Sequence, residues 1–84
     1  MVKLVYFAWV RERIGKGEEE IDIPPHVETV ADLLAHLSAR GEGYAAALDT
    51  PEIIRVALDR EHRQHDDRIG AAREIALFPP MTGG

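Results

Sequence analysis

The sequence contains no cysteine. That single absence removes disulfides, thiolate nucleophiles, Cys-ligated zinc and iron–sulfur clusters, and it fits a reducing compartment. Long apolar runs are missing too: nothing approaches the roughly 18 residues that a membrane span needs. No basic, hydrophobic, cleavable leader is expected, because the sequence opens directly on the strand-like MVKLVYFA. The expectation is a small, soluble, cytoplasmic domain with no membrane partner. Positive charge is in short supply, with ten Lys and Arg against fifteen Asp and Glu for a net charge of −5. Clustered phosphate-binding charge is therefore not expected, and neither is nucleic acid as a partner. Ser38 is the only serine. It falls inside a helical stretch without a neighbouring base, so no Ser/His/Asp arrangement can be built. With 84 residues there is room for one domain, which buries roughly 60–65% of its unfolded surface.

What is present is clear periodicity. Met1 to Ala8 alternates, with Val2, Leu4 and Tyr6 on one side and Lys3, Val5 and Phe7 on the other, which predicts a strand. Trp9 to Ile14 predicts a short helix stopped by Gly15 and Gly17. Glu18 to Ile23 alternates again until Pro24-Pro25 ends it. Thr29 to Arg40 is the clearest helix. Thr29 and Asp32 resemble a capping box, Val30, Leu33, Leu34 and Leu37 make the apolar stripe, and Gly41 stands where a left-handed C-cap belongs. A further helical turn is expected at Tyr44 to Leu48 and strands at Ile54 to Leu58 and Glu74 to Phe78. Glu61 to Arg73 reads as a polar, irregular connection.

This order predicts an α+β domain with one helix layer on one sheet. The expected core is Val2, Leu4, Tyr6, Ile21, Ile23, Val30, Leu33, Leu34, Leu37, Ile54, Val56, Leu58, Ile75 and Leu77. The opposite parity gathers Lys3, Val5, Phe7, Arg55, Ala57, Ala76 and Phe78, which is unexpectedly apolar for a solvated face. Two readings stand: a protein-binding patch, or a surface covered by a loop or short helix.

The polar clusters carry little chemistry. His62, His65, Asp66 and Asp67 fit no metal-ligand spacing and read as a solvated loop, so no metal site is expected. Glu18 to Glu20 reads as a solvated strand start. Gly41-Glu42-Gly43 lacks the strand–turn–helix context of a phosphate loop and reads as a cap and linker.

The last six residues are more informative. Pro79 and Pro80 hold the chain extended as it leaves the domain. From Pro79 to Gly84 such a segment reaches roughly 20 Å. Gly83 and Gly84 remove every Cβ near a terminal carboxylate, so the tail could thread a narrow channel. The carboxylate is a latent handle: converted to an acyl-adenylate, it accepts sulfur or an amine. The competing reading is a frayed terminus.

The run Ala76-Leu77-Phe78-Pro79-Pro80-Met81-Thr82-Gly83-Gly84, with Tyr6-Phe7-Ala8, Val10-Arg11-Glu12 and Gly15 near the start, resembles the small, sulfur-carrying subunits of molybdopterin synthase (MoaD-type). The resemblance spans essentially the whole chain. It implies a ubiquitin-like β-grasp fold, a mixed sheet with one main helix packed on one face, over residues 1–78, followed by a flexible tail at 79–84. The first and last strands would lie parallel, making Phe7 and Phe78 neighbours. It further implies that an ATP-dependent adenylating enzyme, using ATP and Mg, activates Gly84. Gly84 then becomes a thiocarboxylate and gives sulfur to a cyclic pterin phosphate precursor inside the large synthase subunit. This chain would bind no cofactor and catalyse nothing alone. Pro79, Pro80, Met81, Thr82 and Gly83 would lie in the partner's channel, while Val5, Phe7, Arg55, Ala76 and Phe78 would dock both partners. Sulfur carriers of the same fold for thiamine, cysteine or tRNA thiolation, protein modifiers and plain interaction modules remain alternatives. Two departures stand out: Leu58-Asp59 where the family often has Val-Asn, and Ala71-Ala72-Arg73 where it usually has Asp-Gly-Asp. Without that glycine the loop is expected to take a different path.

Overall fold

The N-terminal alternation becomes β1, Val2–Tyr6, in a computed structural model that describes residues 1–80. The chain then forms α1 (Ala8–Ile14), β2 (Glu18–Ile21), α2 (Val30–Ser38), α3 (Glu42–Ala47), a 3₁₀ turn (Pro51–Ile53), β3 (Arg55–Leu58), β4 (Glu61–Arg63) and β5 (Glu74–Phe78). The five strands form one sheet in the order β2-β1-β5-β3-β4. β1 and β5 pair in parallel, with Val5 opposite Ala76, and every other pairing is antiparallel. A parallel neighbour needs a long crossover, and here everything between β1 and β5 supplies it.

The expected capping box opens α2. Thr29 Oγ1 accepts from the Asp32 amide while Asp32 accepts from the Thr29 amide, both at 3.1 Å. Those bonds and a further one from the Glu28 amide hold Asp32 below the usual carboxylate range. Val30, Leu33, Leu34 and Leu37 are buried as the stripe predicts, each contributing about 1.5–3 kcal/mol relative to exposure. Facing them are Leu4, Tyr6, Val56, Leu58, Ile75 and Leu77 in one continuous core.

Several expectations need correction. Gly41 does not cap α2: the helix ends at Ala39, and Gly41 instead precedes α3 with an extended φ of 166°. Gly43 is the glycine under constraint, since a Cβ there would stand 2.7 Å from the Arg13 carbonyl oxygen. The connection after β3 is not wholly irregular, because Glu61–Arg63 pairs with β3 as an edge strand. Asp59 and Arg60, with φ of 49° and 72°, make a two-residue turn between the two strands. Ala57 was expected on the open face yet is buried, a short side chain shaded between the rows of its neighbours Ala76 and His62. The core also takes in Val10, Val27, Tyr44, Ala47, Leu48 and Ile69, whereas Val2 and Ile23 are only partly buried at its edge. The loop before β5 carries a glycine of its own. Its positive φ falls on Gly70, at 57°, and Ala71 to Arg73 are spared.

The acidic run at the start of β2 is not uniformly solvated. Glu19 turns inward and accepts 2.6 Å hydrogen bonds from both Tyr6 and Tyr44. Lys16 and Arg40 lie 3.4 and 3.5 Å away. Burial works to raise its pKa, but the two phenols and two cations outweigh that and hold Glu19 below the usual carboxylate range. Burial, followed by the bond to Glu19, pushes the Tyr6 phenol far above its own usual range.

Candidate functional site: the open face of the sheet

The helices cover one face of the sheet, and β parity puts the other set of side chains outside. One cross-strand row runs Val5, Ala76, Ala57, His62, from β1 to the edge strand β4. Beside it stand Phe7, Phe78 and Arg55, with Arg55 directly opposite Phe78 in register. The two alanines in the first row are short, so the aromatic rings rise above the sheet.

Phe7 is held there by the end of β1. It occupies the N-cap position of α1 with extended backbone, and its amide donates to Leu77 O at 3.1 Å. Ala8, at φ 51°, then turns the chain away. Phe7 remains 48% exposed, and its ring meets Phe78 edge-on at 6.2 Å between centroids. The expected pairing of the two phenylalanines is thus present, and Val5, Ala76 and Arg55 share their face. His62 extends the row, packing edge-on against Phe78 at 5.2 Å. Sequence reasoning missed this residue because β4 is a three-residue edge strand without apolar alternation.

The neighbouring His65 serves the backbone instead, with Nε2 2.7 Å from Ile54 O. Among the described residues no group of three metal-ligating side chains comes together. Pro79 and Pro80 follow β5 directly, and Pro80 borders a groove of about 610 Å³ that also touches Ile53, Arg55 and His62. The remaining tail positions, Met81, Thr82, Gly83 and Gly84, lie outside the described residues. No described helix is long and apolar enough to cross a membrane.

A five-stranded mixed sheet with a central parallel pair, grasping a helix and carrying an aromatic pair beside its C-terminal exit, is a ubiquitin-like β-grasp protein. The chain belongs to the ThiS family, whose profile matches residues 4–84. It is 34% identical over 86 residues to the molybdopterin synthase sulfur carrier subunit of Escherichia coli, with all of both chains covered. It is likewise 34% identical over 84 residues to the subunit of that name from Dictyostelium discoideum, covering 98% of this chain and 94% of the other. Among solved structures, small archaeal modifier protein 1 of Haloferax volcanii superposes with a TM-score of 0.69 at 26% identity, covering 95% and 97% of the two chains.

Proposed function

We propose that this chain is the sulfur carrier subunit of a molybdopterin synthase. The observation that carries the reading is the end-to-end 34% identity to a sulfur carrier subunit of that enzyme. The Phe7–Phe78 pair beside the root of the Pro79-Pro80 segment gives such a subunit its means of docking.

In this reading an ATP-dependent enzyme, with Mg bound to its nucleotide, binds the aromatic face. The Gly84 carboxylate attacks the α-phosphorus of ATP and pyrophosphate leaves. Hydrosulfide, or sulfur released by a donor at that oxidation level, then attacks the acyl carbon, AMP leaves, a proton is lost, and Gly84 holds a thiocarboxylate. The carrier exchanges partners through the same face and docks on the large synthase subunit. Each docked carrier passes one sulfur to a cyclic pterin phosphate precursor, water restores the Gly84 carboxylate, and two such transfers build the dithiolene. Phe7 and Phe78 anchor, Val5, Ala76 and Arg55 surround them, and Pro79 and Pro80 direct the tail. Met81 and Thr82 contact the channel walls, and Gly83 gives clearance at the reacting carbon. Pterin recognition and acid–base groups belong to the large subunit, so this chain acts as a non-catalytic sulfur donor.

Intact-mass spectrometry after incubation with ATP, a sulfur source and the cognate adenylating enzyme tests the assignment. The expected result is the gain of one sulfur for one oxygen, located on Gly84. No gain, with that enzyme active on another carrier, would defeat it. The likeness to an archaeal protein modifier favours one second reading, in which Gly84 is joined to a lysine amine. Conjugates heavier than the free chain would mark that outcome.

A further inference from the structure

An aromatic pair explains adhesion but not choice of partner, because phenylalanine buries well against many apolar surfaces. The polar groups at the edge of the face are where choice is made. On this acidic chain, of net charge −5, one corner of the docking face is cationic. Arg55 is the cross-strand partner of Phe78, and the His62 ring packs against that same phenylalanine from the other strand neighbouring β3. Among the described residues Arg55 enters no salt bridge. Both residues are exposed and line the groove that Pro80 borders.

We propose that Arg55 and His62 form a carboxylate-binding corner, which an Asp or Glu side chain of the partner protein occupies when its surface covers Phe7 and Phe78. The inference rests on the docking role given to this face above. A guanidinium offers a planar fork of donors that matches a carboxylate, and an imidazole adds another N–H. The Phe78 ring forms an apolar wall, and water expelled on docking strengthens the pairing. A protein carboxylate fits better than a polyanion. The adjoining surface is apolar, and the net negative charge of the whole chain repels phosphate-rich ligands.

Other charges face His62 across the groove. Arg63, from β4 itself, is tied to Glu61 at 3.6 Å. His65 and Asp66 come from the loop after β4, and Glu52 from the 3₁₀ turn. β3 contributes Arg55, and β5 contributes the uncharged Phe78.

The test is calorimetric titration of the full chain into the large synthase subunit from the same source, at low and high salt. Arg55→Glu should weaken binding about thirtyfold and flatten the salt dependence, while Arg55→Lys, which keeps the charge, loses under about fivefold. His62→Ala, which removes the ring and its N–H, should weaken binding about threefold. Thermal melting of each variant confirms the fold, and Arg55→Gln stands in if the charge reversal fails to fold. Phe78→Asp reports on the docking reading separately. If it abolishes binding while the Arg55 and His62 variants keep wild-type affinity and salt slope, the corner is overturned and the docking face survives. If Phe78→Asp binds as wild type does, the docking reading itself fails and the corner falls with it.

Discussion

Among the described residues Glu19 concentrates more side-chain interactions than any other polar residue. Its carboxylate joins β1 through Tyr6 to α3 through Tyr44, with Lys16 and Arg40 balancing its charge. Glu19→Gln keeps one acceptor but loses the charge, and should cost about 1–2 kcal/mol in urea unfolding at neutral pH. Because the folded state depresses the pKa of Glu19, the unfolded chain takes up the proton first as pH falls. Its contribution is full above the ordinary carboxylate value of about 4.3 and drains away as pH drops through the lower folded value. The gap between wild type and Glu19→Gln should therefore narrow below about pH 4, and a gap that stays constant down to strong acid would remove Glu19 as its source. This residue was hidden in the sequence by its own neighbours. Parity points Glu19 the same way as Ile21, but a run of three glutamates reads as solvent-facing unless two phenols wait opposite. By contrast Phe7 and Phe78 were legible, since strand parity alone sorts them onto the uncovered side.

At the scale of elements, two sites set local propensity against tertiary packing. Gly43 lies within α3, where alanine ordinarily gains up to about 1 kcal/mol over glycine. Here the added methyl would press into backbone, 2.7 Å from Arg13 O and 3.3 Å from Ile14 O, and backbone cannot step aside as a side chain does. Gly43→Ala should destabilise by about 1–3 kcal/mol; a stabilised variant would mean that α1 and α3 are not held this closely. The β3–β4 turn presents the opposite case. Arg60 stands at φ 72°, a left-handed conformation costing a side-chain-bearing residue about 1 kcal/mol. Arg60→Gly should raise Tm by about 4–8 °C, and a lowered Tm would show that the Arg60 side chain contributes more than its strain costs. Asp59 should stay, because its Oδ1 accepts from the Arg73 and Glu74 amides at 3.0 Å and fastens the turn to β5. Strong periodicity made β1, α2 and β5 readable almost to the residue. β4 was unreadable for the same reason reversed: Glu61-His62-Arg63 are all exposed, so no burial pattern wrote itself into the sequence. The fate of Gly41 and Gly43 was likewise settled by the neighbouring helix, which no local rule reports.

For the whole molecule, the proposed division of labour between sheet and tail can be measured. Extending the chain by one residue beyond Gly84 should leave the thermal unfolding curve in place while sulfur transfer disappears, because the added residue blocks the carboxylate. Transfer by an extended, uncleaved chain would refute the carrier mechanism. The fold was legible as strand, helix and strand in order. That β1 and β5 run parallel came from the family resemblance, since periodicity says which face a residue occupies but not which strand lies alongside. The parallel pairing has a consequence for how the protein is made. β5, the most C-terminal strand described, lies between β1 and β3, so a nascent chain that has not yet been translated through Phe78 leaves β1 without its central partner. Such a chain must wait for its most distant contacts before it can fold, and a prematurely terminated product exposes a split core to proteolysis. The ribosome thus releases either an unfolded fragment exposed to clearance or a domain read through β5. Translational errors that stop short of Phe78 leave β1 unpaired on that side, and with it no completed sheet face.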